Sequence, residues 1–191
     1  MDDAGGIRKH GGRSVALRIT VQHVHSVRDN QNARKLLREE LDRTTGDIAR
    51  RCLACALGNV PENAVIISWR KTLTGRALHK GSLLALESPM PKTRRALYIF
   101  LHECAHLSLH CKSSKPKHRR EYEAEMFAHQ KMAEAGIPVP EKTMDGARRY
   151  VAWKIHQAMR RGALAIDEDA YAFAGVALTR YQAQKELQKT P

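Results

Sequence analysis

Ala96-Leu97-Tyr98-Ile99-Phe100-Leu101-His102-Glu103-Cys104-Ala105-His106-Leu107-Ser108-Leu109 is an apolar run broken by two His and one Glu. Its pattern is helical. Thr93 stands where a side chain can cap the first turn, and the helix is expected to run to about Cys111. Within it, residues 102–106 spell H-E-x-x-H. Residues four apart on a helix share a face, so His102 and His106 offer two imidazole nitrogens to one Zn²⁺, with Glu103 placed to activate water. The plainer alternative is a helix carrying two half-buried His and a surface Glu. The metal reading makes the chain a candidate metal-dependent hydrolase, and the rest of the sequence is read outward from it.

Upstream, Ser88-Pro89-Met90-Pro91 stops a β-rich region. Val65–Trp69, Arg76–His79 and Ser82–Leu86 read as short strands, the last two joined by a hairpin turn at Lys80-Gly81. Before them, Asn30 to Leu57 is helical in period, interrupted by Thr44-Thr45-Gly46-Asp47. Two helices are expected, the second capped near Thr45 or Asp47. Ala16 to Val21 alternates apolar and polar inside a strand expected over Val15–Val24, and the Gly-rich residues 1–14 read as a flexible arm. Downstream, the basic loop Lys112–Lys117 leads to a helix from near Arg119 to about Ala135, ended by Gly136-Ile137-Pro138. Two more helices are expected, at about Asp145–Arg161 and Asp167–Leu187. Strands and helices are segregated, which argues α+β. The expectation is one domain over 15–191: an N-terminal strand and helices (15–60), a core with a short antiparallel sheet (61–135), and C-terminal helices (136–191).

The chain has 191 residues, 42% of them hydrophobic, and a formal net charge of +13. No run of eighteen apolar residues and no signal-peptide pattern is present, so a cytoplasmic protein is expected, with no membrane partner. Cys52, Cys55, Cys104 and Cys111 read as free thiols, most of them buried. The charge is unevenly placed, with a balance of +4 over residues 1–60, +9 over 61–120 and zero over 121–191. The excess sits on the segment with the metal motif. It favours anionic partners, either nucleic acid bound non-specifically or an acidic or DNA-bound protein, unless it serves solubility alone.

A catalytic zinc needs a third protein ligand. His110 extends the run, but eight residues of helix put it roughly 12 Å from His102 along the axis, while zinc–nitrogen bonds are about 2 Å. No Gly follows His106 to turn the chain back. His110 therefore reads as a surface residue or one standing behind the ligands. The next helix offers Glu121, Glu123, Glu125 and His129, with His118 at its start. Glu123 is preferred, because Ala124 and Ala128 allow close helix approach and Phe127 shares its face. Glu125, Glu121, His118 and His129 remain alternatives.

From Trp69 to Ala128 the chain resembles the ImmA/IrrE-type zinc metallopeptidases, small minigluzincin-like enzymes of compact α+β, zincin-like fold. The shared features are Leu73-Thr74-Gly75-Arg76-Ala77 before a hairpin, the lead Tyr98–Leu101, the motif His102–His106, and Glu123-Ala124-x-x-Phe127-Ala128. Tyr150-Val151-Ala152-Trp153 is similar to a segment of antirestriction-associated relatives. Glu125 stands where Asn is common, and His129-Gln130-Lys131-Met132 replaces the usual Leu-Met-Pro ending. The resemblance implies one zinc per chain held by His102, His106 and Glu123, with the second helix packed on the first. It implies a gluzincin endopeptidase acting on a regulatory protein such as a transcriptional repressor. In that scheme Glu103 takes a proton from water and passes it to the leaving amine. Ser82–Leu86, if an edge strand, can hold an extended substrate. Tyr150 and His156 are candidate oxyanion donors.

Two other readings stand beside it. One is a nucleic-acid-binding module with a structural zinc, supported by the five cations Lys112, Lys115, Lys117, Arg119 and Arg120. The other is a SprT-like DNA–protein crosslink protease using His118, because His118-Arg119-Arg120-Glu121-Tyr122 resembles that family's H-G-x-x-F without its Gly.

Overall fold

The computed structural model describes residues 32–175 and Thr179. The expected arm and first strand lie outside the described residues, as does most of the last helix. The elements are α1 (Ala33–Arg43), α2 (Asp47–Asn59), β1 (Ala64–Trp69), β2 (Arg76–Lys80), β3 (Leu83–Ser88), α3 (Arg94–Leu109), α4 (Lys117–Glu134) and α5 (Glu141–Arg160). A sixth helix, α6, covers 168–175. The arrangement is mixed α+β.

Helices α1 and α2 break where Gly46 interrupts the period. Asn32 caps α1, its side chain accepting from the Lys35 N–H. The N-cap of α2 is Gly46 itself, with no side-chain cap, rather than Thr45 or Asp47. The corner is closed from the other side. Arg50 donates to the carbonyls of Leu41, which also accepts the Thr44 N–H, and of Thr44 at the end of α1.

The sheet has the order β1-β3-β2. Only β2 and β3 are antiparallel; β1 runs parallel to β3, so the expected antiparallel sheet is a mixed one. Gly81, with φ 58°, makes the tight hairpin turn between Lys80 and Leu83. The physical reason for the order lies in side-chain character. β3 is apolar and takes the centre, while β2 carries Arg76, His79 and Lys80 and tolerates the edge.

Helix α3 passes through the middle. Thr93 caps it through a bond from the Ala96 N–H. Leu97, Phe100, Leu101 and Cys104 are fully buried against Leu53, Leu86 and Met132. Each large side chain buried there contributes roughly 1.5–3 kcal/mol. Helix α4 returns alongside α3, with Ala124 and Ala128 at zero exposure in the contact. The Tyr98 hydroxyl, on α3, donates to the Glu125 carbonyl at 3.3 Å. Helix α5 begins one turn earlier than the sequence suggests, directly after Pro140. It packs Val151, Ala152 and Ile155 against Ala170 and Ala174 of α6.

Candidate metal centre

His102 and His106 leave α3 on one face, one turn apart, and α4 brings a carboxylate between them. That carboxylate is Glu121. His102 Nε2 and His106 Nε2 are 3.1 Å apart. Glu121 Oε2 lies 3.5 Å from the first and 3.3 Å from the second. These three residues make up the potential metal-holding group found among the described residues. Donor atoms about 2.0–2.1 Å from one tetrahedral ion stand about 3.3 Å from one another, so the triangle has the size that an ion requires. Two neutral imidazoles and a carboxylate are also the donor types that a borderline divalent ion prefers. The group can hold a metal ion.

The electrostatics favour positive charge at this place. Burial opposes a charge on His102, yet the carboxylates of Glu125, Glu121 and Glu103 draw positive charge to it and push its pKa up to about 10. Burial would likewise raise Glu121, but hydrogen bonds from His102 and His106 outweigh it and hold that carboxyl well below the usual range. Glu121 uses its two oxygens differently. Oε2 faces the imidazoles, while Oε1 accepts from the buried Lys154 Nζ at 3.0 Å.

The expected ligand Glu123 is elsewhere. Its Oε1 takes Lys115 Nζ at 2.7 Å and Arg119 Nε at 2.9 Å, and its Oε2 lies 3.0 Å from His110 Nε2. The reason is helical geometry. Glu121 and Glu123 are two residues apart, so only one can share the stripe of Ala124 and Ala128 that touches α3. Glu121 stands three residues before Ala124 and seven before Ala128, on that stripe. The signal was in the sequence, but Phe127, which is only partly buried, pointed to the other face.

Glu125 shares the Glu121 face. Its Oε1 lies 3.3 Å from His102 Nδ1, the ring nitrogen turned away from the triangle. His106 has a counterpart, since its Nδ1 is 3.1 Å from His110 Nδ1. His110 is buried rather than at the surface. His118 is buried too, but its Nε2 accepts the Asp167 N–H at 3.1 Å, and it is not part of the group. His129 is half-buried on α4 and is also outside the group.

Glu103 projects from α3 toward the start of β2. It accepts a hydrogen bond from the Ala77 backbone, and burial raises its pKa against the lowering pull of His102 and His106. Gly75 makes this placement possible. A Cβ there would stand 2.5 Å from Glu103 Cγ and 2.6 Å from its Oε1.

His102, His106, Glu103 and Glu121 face a cleft of about 480 Å³. One wall is Gly75 and the following strand β2, whose outer edge has no strand partner among the described residues. The anticipated edge strand, Ser82–Leu86, is instead the centre of the sheet and paired on both sides. Arg76, Lys117 and Arg120 also line the cleft, and Arg120 Nε is buried without a partner. Tyr150 also lines the cleft, its ring 6.2 Å from His102; burial raises its phenol, which stays protonated. His156 is not among the lining residues.

The four cysteines are free, three of them buried, and burial raises every thiol. Among the described residues, no helix is long and apolar enough to cross a membrane. Comparison of the chain with family models, with curated proteins and with solved structures found no match.

Proposed function

We propose that the chain is a zinc-dependent endopeptidase of the gluzincin type, built on a small zincin-like domain. The observation that carries this reading is the triangle of His102, His106 and Glu121 donor atoms opening on a cleft beside Glu103. A structural zinc is normally closed off by four protein ligands, whereas a catalytic one keeps an open position. The open cleft and the adjacent carboxylate favour the catalytic case over a binding module with a structural ion.

His102, His106 and Glu121 would hold the ion. When bound, zinc supplies a Lewis acid for the scissile carbonyl and lowers the pKa of water toward about 7. The chain supplies the rest. Glu103, desolvated and fixed by the Ala77 N–H, accepts a proton from water and delivers it to the departing amine. The free edge of β2 offers backbone donors and acceptors to an extended peptide. Tyr150, protonated and with its ring beside His102, is the candidate donor to the oxygen that gains charge, a role for which its hydroxyl must leave Glu121. Arg76, Lys117 and Arg120 favour acidic substrate segments. A regulatory or DNA-associated protein is the substrate class we propose. Four free thiols suit the reducing cytoplasm.

The test is paired. Glu103→Gln should keep one zinc per chain and lose cleavage of a peptide library by a factor of at least about 10². Cleavage at the parental rate by Glu103→Gln would overturn the peptidase reading. Absence of zinc from the parent protein would overturn the metal reading.

A further inference from the structure

His106 has two ring nitrogens, and only one can face the triangle. Its Nε2 lies 3.1 Å from His102 Nε2 and 3.3 Å from Glu121 Oε2. To ligate, that nitrogen must carry a lone pair, so the proton of the neutral ring must sit on Nδ1. Whether it does is decided by what Nδ1 meets. Here it meets another imidazole, His110 Nδ1, at 3.1 Å. An imidazole nitrogen can accept or donate, so this contact alone fixes nothing.

The next contact does. His110 Nε2 lies 3.0 Å from Glu123 Oε2. An ionised carboxylate can only accept, so the His110 proton must lie on Nε2. That leaves a lone pair on His110 Nδ1. Nδ1 of His106 must then donate to it, and Nε2 of His106 is left bare toward Glu121 and His102. Lys115 and Arg119, at 2.7 and 2.9 Å from Glu123 Oε1, keep the carboxylate ionised and leave Oε2 to His110.

We propose that Glu123 and His110 form a positioning relay that sets the tautomer and ring angle of His106 for metal binding. The inference rests on the metal reading above. It gives the third His of H-x-x-x-H-x-x-x-H, and the carboxylate once expected to be a ligand, a common purpose. Neither residue touches the ion; each acts through His106. The two ligating imidazoles are thus oriented differently, His102 by a carboxylate directly and His106 by a carboxylate through a second imidazole.

The relay is tested with the full chain and Zn²⁺ alone, by competition against a fluorescent chelator. Removing an outer partner of a ligating His typically weakens metal binding 10–100-fold. His110→Leu should therefore raise the zinc Kd by about that factor, with the stoichiometry of one retained at saturation. His110→Gln has an acceptor oxygen for His106 and a donor amide for Glu123, and should recover most of the loss. Glu123→Leu, at a half-buried position, should weaken zinc several-fold, with chemical denaturation confirming that the variant is folded. In the zinc-loaded protein, the His106 Nδ1–H proton resonance should be visible and should disappear in His110→Leu. A parental zinc Kd in both His110→Leu and Glu123→Leu overturns the relay while leaving the metal reading intact. So does a His110→Gln variant no better than His110→Leu, which reduces His110 to packing. A parent that binds no zinc overturns the metal reading itself.

Discussion

The two faces of α4 carry the same residue type and treat it in opposite ways. Toward α3, Glu121 and Glu125 are buried to 5% exposure each, and the positive charge near them comes from imidazoles and one buried lysine. Two residues along, Glu123 meets Lys115 and Arg119 at the rim. A carboxylate at the rim is satisfied by flexible cations and water, and such a pair is worth little, roughly 0–1 kcal/mol. A carboxylate in the interior has neither. Taking it out of water costs several kcal/mol unless fixed partners answer it. The buried pair is therefore answered by fixed groups, His102, His106 and Lys154.

The largest effect that should separate the faces is on metal content. Glu121→Ala removes a donor atom and leaves Lys154 buried without its partner. Zinc should fall below detection after dialysis, and the fold should lose about 3 kcal/mol or more, as expected for a broken buried pair. Glu123→Ala should retain zinc at one per chain under the same dialysis. Metal analysis and chemical denaturation of the two variants read both quantities. Loss of zinc in Glu123→Ala with retention in Glu121→Ala would reverse the assignment of the faces.

A second test moves from the ligands to the base. Gly75→Ala places a methyl where Glu103 now sits, at 2.5 Å from its Cγ. Gly75 precedes the edge strand, so the fold should survive. Glu103 must shift by about an ångström, and misplacement of that size can cost about 10²-fold in rate. Zinc affinity should change far less. Equal rates for Gly75→Ala and parent would mean that Glu103 does not act from this position.

Much of this was legible in the sequence, for identifiable reasons. Most short-range chemistry was read correctly, the cap of α2 and the start of α5 excepted. The 102–106 spacing placed two imidazoles on one face, Thr93 capped α3, and Gly81 turned the hairpin. The other misreadings concern relations between elements. The hairpin at Gly81 is a local feature, whereas the parallel pairing of β1 with β3 joins strands separated by β2 and is stated by no local pattern in 64–88. The choice between Glu121 and Glu123 depends on which stripe of α4 meets α3. Ala124 and Ala128 marked that stripe, and extending it back by helical spacing reaches Glu121. His110 was left between a surface position and one behind the ligands, because its partners, His106 and a residue thirteen places downstream, are set by the packing of α4 on α3.

His118 offers a smaller, pH-dependent contrast on the same helix. It is 2% exposed, and burial lowers its pKa below the ordinary 6.5. The unfolded chain therefore takes up this proton first as the pH falls. Stability from His118 is fully present above about pH 6.5 and is lost as the pH drops toward the folded pKa. The protonated ring would also aim an N–H at the Asp167 N–H that Nε2 now accepts. Between pH 7.5 and 5.5 the loss can reach about 1.4 kcal/mol, the limit for one proton over the unit below 6.5. His118→Gln keeps an acceptor and should lack this part of the pH dependence. Parallel stability curves for parent and variant would remove His118 from the titration.

The smallest expected effect concerns the cations at the rim. Lys112, Lys115, Lys117, Arg119 and Arg120 cluster in sequence, but they are not equally available to a polyanion. Lys115 is held by Glu123, and Arg119 is held by both Glu123 and Asp167. Lys117 and Arg120 line the cleft. Lys112 is exposed on the loop. Each phosphate contact adds about 0.9 to the slope of log K against log salt. Lys112→Gln should therefore lower the slope for a random DNA duplex by about 0.9. Lys115→Gln should lower it by less, because its ammonium must leave Glu123 before it can meet a phosphate. Equal slopes for the two variants would mean that the rim pairs open in solution, and that the two faces of α4 differ less than their geometry implies. No binding at low salt would detach the +9 segment from nucleic acid altogether and leave an acidic peptide in the cleft as its counterpart.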